Sequence, residues 1–243
     1  MTPIDFVRRA DALGQFRVAD PERPVLSETD AHHLWRVLRG RTGEEIVVTD
    51  GAGSWSFARL GDHGLERISD VVVDAPWPAA TLYLAPLKGD RSEWAVAKVT
   101  ELGITTIVPL MSDHVLLKGK GPALDKTLAK WRRIADAAAG QCRRTYDLVV
   151  ATPVVVARVP HDVAVADFEG DGTLDGVTAM AVGPEGGWAP NEWSSDRRRI
   201  GLGGTVLRGE TAAAAAATLL VQRRDGWSRP TPPAAVRNDE DHR

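Results

Sequence analysis

Two stretches decide how this chain is read: VTAMAVGPEGG at 177–187 and LGGTVLRGETAAAAAA at 202–217. An apolar strand over 177–182 empties into the loop Gly183-Pro184-Glu185-Gly186-Gly187. About fifteen residues on, a second glycine-bearing loop, 202–211, opens into the alanine run 212–217. Two tight loops, each at the end of an apolar strand and each followed by a helix, are what an α/β protein uses to hold a small ligand. Glycine there lets the backbone turn sharply and lets a ligand lie against bare amides. Small side chains let the following helix press closely on what lies beneath it. These stretches predict the binding site of a nucleoside-like cofactor.

Working outward, the apolar segments 81–87, 104–110 and 163–168 read as strands, with a helix over 92–102 between the first two. Ala95, Val99 and Leu102 recur there at i, i+4, i+7, and Gly103 closes the helix. Strand, helix, strand at this spacing is a βαβ unit of a mainly parallel sheet. A longer helix over 124–142 carries the stripe Leu124, Leu128, Trp131, Ala135, Ala138, with Lys126, Lys130, Arg132 and Arg133 largely off it. It ends in Arg143 and Arg144, and Lys118 and Lys120 precede it. A polyanion bound on this surface would release counterions, so binding would weaken with salt. The other reading is a solvated helix face.

Before Ala75-Pro76-Trp77-Pro78, a stretch suited to a linker, the chain is β-rich. Strands are expected at 44–49, 54–57 and 65–73, with a turn at Asp50-Gly51. Only 30–39 reads as helical there, capped by Thr29 or Asp30. His33, Arg36 and Arg39 fall roughly on one of its faces, as RNA contacts or as a solvated surface. The outcome is a small β-barrel with one short helix. Beyond Trp227 the proline-rich, then charged, sequence reads as a disordered tail.

Composition bounds the function. A 43% hydrophobic, 26% charged chain of 243 residues is ordinary for a soluble globular protein, and no apolar run reaches a membrane span. The N-terminus lacks a secretory signal's apolar core, and a lone cysteine, Cys142, allows no internal disulfide and no cysteine metal cluster. A cytoplasmic protein without a structural metal is expected. The net charge of −3 does not announce a nucleic-acid binder, so any basic surface must be local. The GPEGG loop is neither a Walker motif nor GxGxxG, which disfavours a nucleotide-phosphate site. Arg208 has the donors to fork onto phosphate, or to form an ion pair with Glu210 or Glu185.

Taken together, LKGDRSEWAVAKVTELGITTIVPL (87–110), KWRRIADAAAGQCRR (130–144), VGPEGGWAPNEW (182–193) and LGGTVLRGETAAAA (202–215) resemble the RsmE family. HHLWRVLR (32–39) also matches its pattern. These are SPOUT-class methyltransferases that use S-adenosyl-L-methionine to modify N3 of a uridine in small-subunit ribosomal RNA. Thr145-Tyr146-Asp147, Gly204-Thr205 and Trp188 depart from the usual wording.

The resemblance implies an α/β SPOUT domain over 79–228, with a deep trefoil knot and a mainly parallel sheet. It also implies a PUA-like RNA-binding barrel over 1–76, followed by the tail 229–243, and a homodimer. Phe168, Glu169, Gly183, Pro184, Glu185, Gly186, Gly187, Leu202, Gly203, Val206, Leu207 and Arg208 would hold the cofactor. Arg208, Glu185 and Glu210 are the catalytic candidates, with the choice of base among them open. His33, Arg36, Arg39, Lys88, Arg91, Arg132, Arg143 and Arg144 would meet ribosomal RNA or the small subunit, with no metal and no membrane involved. The alternatives are a SPOUT enzyme acting elsewhere on RNA, such as a ribose 2′-hydroxyl, and a non-catalytic RNA-binding assembly factor.

Overall fold

A computed structural model describes residues 3–62, 64–115 and 121–224. Lys118, Lys120 and the expected tail lie outside the described residues.

The N-terminal part is a five-stranded sheet. Strands β1 (Gln15–Arg17), β2 (Glu45–Thr49), β3 (Ser54–Gly61) and β4 (Gly64–Arg67) lie in that order, and β5 (Val72–Val73) pairs with β3. The β2–β3 hairpin turns where expected: Asp50 Oδ1 accepts from the amides of Ala52 and Ser54 (2.7 and 3.0 Å), and Gly51 has φ +69°. Phe16, Leu34, Ile46, Val48, Ala58 and Leu60 fill one face of the sheet. Trp55 and Phe57, edge to face with centroids 5.4 Å apart, fill the other.

Two features here depart from the sequence reading. Helix α1 (Pro3–Asp11) was not expected: its apolar residues are few and its charges many. The expected helix at 30–39 begins earlier, as α2 (Glu28–His32), capped by Ser27, whose hydroxyl accepts from the Asp30 amide at 3.1 Å. It then widens into a π-helical turn, His33–Val37. Ser27 was passed over because Thr29 and Asp30 offer the same capping chemistry.

The C-terminal part is a seven-stranded, all-parallel sheet. Its strands are β6 (Thr81–Leu84), β7 (Thr106–Met111), β8 (Val149–Val150), β9 (Val154–Val155), β10 (Ala164–Ala166), β11 (Ala179–Val182) and β12 (Arg199–Ile200). The order is β12-β10-β11-β6-β7-β8, with β9 also on β7. Helices α3 (Arg91–Leu102), α4 (Pro122–Gln141) and α5 (Gly209–Arg223) share one core with one face of that sheet. Leu82, Leu84, Met180 and Val182 meet Val96, Val99, Leu128, Trp131, Ala213 and Ala217 there. The alternate residues Tyr83 and Ala181 face the other side. Irregular segments carrying Val156, Val159 and Trp193 cover them.

The stripe predicted on α4 is buried in full, and α3 ends at Gly103 in the left-handed region (φ +97°). Alanines 213, 216 and 217 are buried where α5 meets the sheet and α3. One expectation fails: no helix follows GPEGG. Turns occupy 184–198 and lead to the two-residue β12, too short to leave a period-two signature.

The two sheets meet at a polar seam. Asp74 accepts from Arg9 Nη1 (3.3 Å), Trp55 Nε1 (3.1 Å) and Thr145 Oγ1 (2.8 Å), while Tyr146 donates to the Asp74 carbonyl at 2.8 Å. Gln15 Nε2 donates to the Arg144 carbonyl at 2.7 Å. Among the described residues no helix is long and apolar enough to cross a membrane, and no group of three or more His, Cys, Asp or Glu gathers as a metal site.

Candidate functional site

Parallel strands present all their C-terminal ends along one edge, and ligands of open α/β sheets bind outside that edge. Register makes the edge specific here. Val182 lies opposite Leu84 in the β11–β6 pair, so GPEGG leaves the sheet beside the loop 85–90. Ala166 lies opposite Ile200 in the β10–β12 pair, so Asp167-Phe168 leaves beside Gly201-Leu202. The two glycine loops therefore converge on a cleft of about 730 Å³. That lies within the ordinary range for small-molecule sites.

Ten of the twelve expected cofactor residues line the cleft: Phe168, Gly183, Pro184, Glu185, Gly187, Leu202, Gly203, Val206, Leu207 and Arg208. Glu169 and Gly186 stand outside its lining. Sequence reasoning missed Asp167, Trp188, Trp193, Arg199 and Ala212. Trp188 was noted only as a departure from the family's wording, yet it forms a wall. Its Nε1 donates to the Ala166 carbonyl at 3.1 Å, and its ring stands edge-on to Trp193 at 5.2 Å. A Cβ on Gly183 would lie 3.0 Å from that indole, so any larger residue there would press on the Trp188 wall. Asp167 and Arg199 form an ion pair at the other side. A lone aspartate and a lone arginine thirty-two residues apart carry no pairing signal in a single sequence.

Glu185 turns away from a base's role. Its Oε1 accepts from the Lys88 amide at 2.8 Å and from Arg91 Nη1 at 3.2 Å. Burial pushes its carboxyl up, but the Lys88 amide, its own amide and the Arg91 guanidinium outweigh that, leaving it below the ordinary carboxylate value. A carboxylate so held is a clasp between the GPEGG loop and the start of α3. Arg91 also lies 3.9 Å from Glu210, so one guanidinium joins the first loop to the N-terminus of α5. Arg208 lines the cleft and is exposed.

The clasp has a pH signature. A carboxyl with a depressed folded-state value stabilises fully above its unfolded value, roughly 4.3, and that contribution is lost as pH falls through the folded value. Thermal unfolding of the wild type and Glu185→Ala should therefore differ by a constant gap above about pH 5. The gap should narrow on further acidification; a gap that widens there would rule the clasp out.

The expected RNA contacts divide. His33, Arg36, Arg39, Lys88 and Arg132 are exposed, and Arg91 is half-buried in the clasp. Arg143 and Arg144 face inward, against expectation. Arg143 donates to the carbonyls of Arg9, Ala12 and Gly140. Arg144, only 4% exposed, donates to the carbonyls of Thr100 and Ile104 (3.0 Å each) and of Tyr146. An arginine pair at a helix end reads alike whether it meets a polyanion or caps exposed carbonyls of its own fold. Here the carbonyls win.

Comparison with known proteins gives the same picture. A family model described as an RNA methyltransferase domain matches residues 75–221, and one described as an RNA methyltransferase PUA domain matches 26–66. The ribosomal RNA small subunit methyltransferase E of Synechocystis sp. is 32% identical over 214 residues, 77% of this chain and 69% of its own. That of Mycobacterium tuberculosis is 32% identical over 218 residues, 79% and 83% of the two chains. Among solved structures, the ribosomal RNA small subunit methyltransferase E of Neisseria gonorrhoeae bound to S-adenosyl methionine superposes with a TM-score of 0.70 at 26% identity, over 86% of this chain and 97% of that one. A putative methyltransferase of Legionella pneumophila, in complex with the same cofactor, gives 0.72 at 26% identity, over 85% and 96%.

Proposed function

Because this chain belongs to the RNA methyltransferase family that includes the ribosomal RNA small subunit methyltransferases E, we propose that it uses S-adenosylmethionine to methylate N3 of a uridine in small-subunit ribosomal RNA. The observation that carries the reading is the convergence of the two glycine loops on one cleft. The residues present fit an adenosyl cofactor. Val182, Leu202, Leu207 and Ala212 offer apolar walls, and loop backbone together with Asp167 offers polar partners. Trp193 Nε1, buried on the cleft wall, has no acceptor among the described residues.

Bound there, S-adenosylmethionine supplies a methyl group carried on a sulfonium. The chain's task is the other half of the reaction. Uridine N3 carries a proton and attacks only as that proton passes to water, so negative charge develops over N3, O2 and O4. Arg208 is the side chain assigned to stabilise that charge. Glu185, clasped by Arg91, holds the cofactor loop in place and is not assigned as the base. Glu210, beside the same arginine, orders the start of α5. N3 lies on the pairing edge, so the base must be unpaired or swung out of its stack. The surface of the N-terminal sheet domain (1–76) bearing His33, Arg36 and Arg39 supplies contacts to RNA shape and backbone, and 79–228 is the catalytic domain.

The trefoil knot and the homodimer belong to this proposal too. The knot rests on the family to which this chain belongs; at Gly170 the chain runs backbone to backbone against β12, where a Cβ would lie 2.6 Å from the Ile200 backbone. A dimer is supported by Phe168 and Val206, apolar side chains 61% and 84% exposed on the cleft that an isologous partner would cover. The proposed setting is the cytoplasm, where ribosomal subunits are found.

The test is methyl transfer from labelled cofactor to unmodified small-subunit RNA, with the product nucleotide mapped by mass spectrometry. Methylation at uridine N3 is expected. A methyl group on a ribose oxygen would replace the substrate position, and cofactor binding without any transfer would leave an RNA-binding factor.

A further inference from the structure

Behind the GPEGG loop lies a second cavity of about 550 Å³, and Pro184 and Glu185 line both it and the cofactor cleft. Its other walls come from the loop 86–89, the first turn of α3, the exposed side of α4 and His114. Lys88, Lys126 and Lys130 face it. Its two acids are already engaged, Glu93 by Lys130 and Glu185 by Arg91 and the Lys88 amide. Among the described residues neither Lys88 nor Lys126 forms an ion pair, so the cavity carries uncompensated positive charge.

A second observation points the same way. Trp131, 1% exposed, lines the cavity, and its indole Nε1 has no hydrogen-bond acceptor among the described residues. A buried donor left unpaired costs free energy, and most such groups in folded proteins find a partner. The first turn of α3 borders the cavity as well, and Asp90 gives it no side-chain cap. The wall thus offers ammonium groups and a helix N-terminus, with an unpartnered indole N–H in a residue that lines it. All of these are donors or positive, and they suit an anionic ligand rich in acceptor oxygens.

We propose that this cavity binds a backbone phosphate of the RNA substrate, next to the nucleotide that is methylated. The inference rests on the function proposed above. GPEGG is then a partition, with methyl donor on one side and substrate strand on the other. Trp131 and Lys126 act as positioning residues for the strand.

Lys126→Ala tests it, since Lys126 is exposed on a helix and alanine keeps that helix. Binding of unmodified small-subunit RNA should weaken on the order of 3- to 10-fold at moderate salt, with the slope of log affinity against log salt reduced by about one. KM for RNA should rise in step, Lys126→Arg should restore most of the loss, and calorimetric cofactor affinity should stay within about twofold. Trp131→Phe, which keeps a ring and removes the N–H, should weaken RNA binding without changing the slope. RNA affinity and slope unchanged in both variants would overturn the proposal. These readouts are binding constants, so they judge the cavity even if the wild type transfers no methyl group, an outcome that would count against the function alone.

Discussion

Arg144→Ala is expected to destabilise the protein by about 3–5 kcal/mol and to lower its melting temperature by roughly 10 °C, whether or not RNA is present. The guanidinium donates to the carbonyls of Thr100, Ile104 and Tyr146 and lies 5.1 Å from the Trp77 ring. On the same indole sits Arg224, 4.9 Å away, which donates to the Gly103 carbonyl at 2.8 Å. Truncation strands the carbonyls of Ile104 and Tyr146, while the Thr100 carbonyl keeps the Gly103 amide, and each stranded group costs about 1–3 kcal/mol when buried without a partner, with the packing on Trp77 lost besides. Burial, with the nearby Arg224 charge adding to it, lowers the Arg144 value to about 10, so the group is still charged at neutral pH. Arg144→Lys keeps the charge but lacks the planar fork that reaches several carbonyls at once, so it should recover only part of the loss. Urea unfolding with both variants checks this. A variant of wild-type stability with weakened RNA binding would return Arg144 to the RNA-facing surface.

That residue marks where reading the sequence stops working. What was legible followed from periodicity and from glycine. The α4 stripe, the Gly103 stop and the parallel sheet all came from local patterns that tertiary structure had no reason to override. The cleft was legible because glycine and proline announce a turn wherever they stand. Its Asp167–Arg199 ion pair and its tryptophans were not, because that pair joins residues thirty-two apart and the tryptophan wall exists only once β10, β11 and β12 are aligned. Helix α1 was illegible for a related reason: its Arg8 and Arg9 look like surface charges. In the fold their guanidinium groups lie over the Phe57 and Trp55 rings at 4.0 and 4.5 Å. Arginine type alone never separates an RNA contact from a brace, since the same donors serve both.

Glycine, by contrast, permits a sharp paired experiment. Gly170→Ala should abolish most cofactor binding, a loss of more than about tenfold, and destabilise the fold by roughly 3 kcal/mol, whereas Gly204→Ala should leave both nearly unchanged. The added methyl group is the same; its surroundings differ. At Gly170 a Cβ would meet the Ile200 backbone at 2.6 Å and the Arg199 carbonyl carbon at 2.7 Å, and the Gly170 carbonyl is itself 2.7 Å from where a Cβ on Gly201 would stand. Backbone cannot rotate out of the way as a side-chain end can, so the two strands of chain must separate. Phe168 precedes this close approach on one segment and Leu202 follows it on the other, and both line the cleft, so separation opens the cofactor site. At Gly204 nothing lies within 4 Å of the new atom and φ is not positive, although the residue sits two positions from Leu202 on the cleft. Calorimetry with S-adenosylmethionine and thermal unfolding of both variants check the contrast. Equal affinities in the two would mean that the close packing of 170–171 on β12 does not support the cleft.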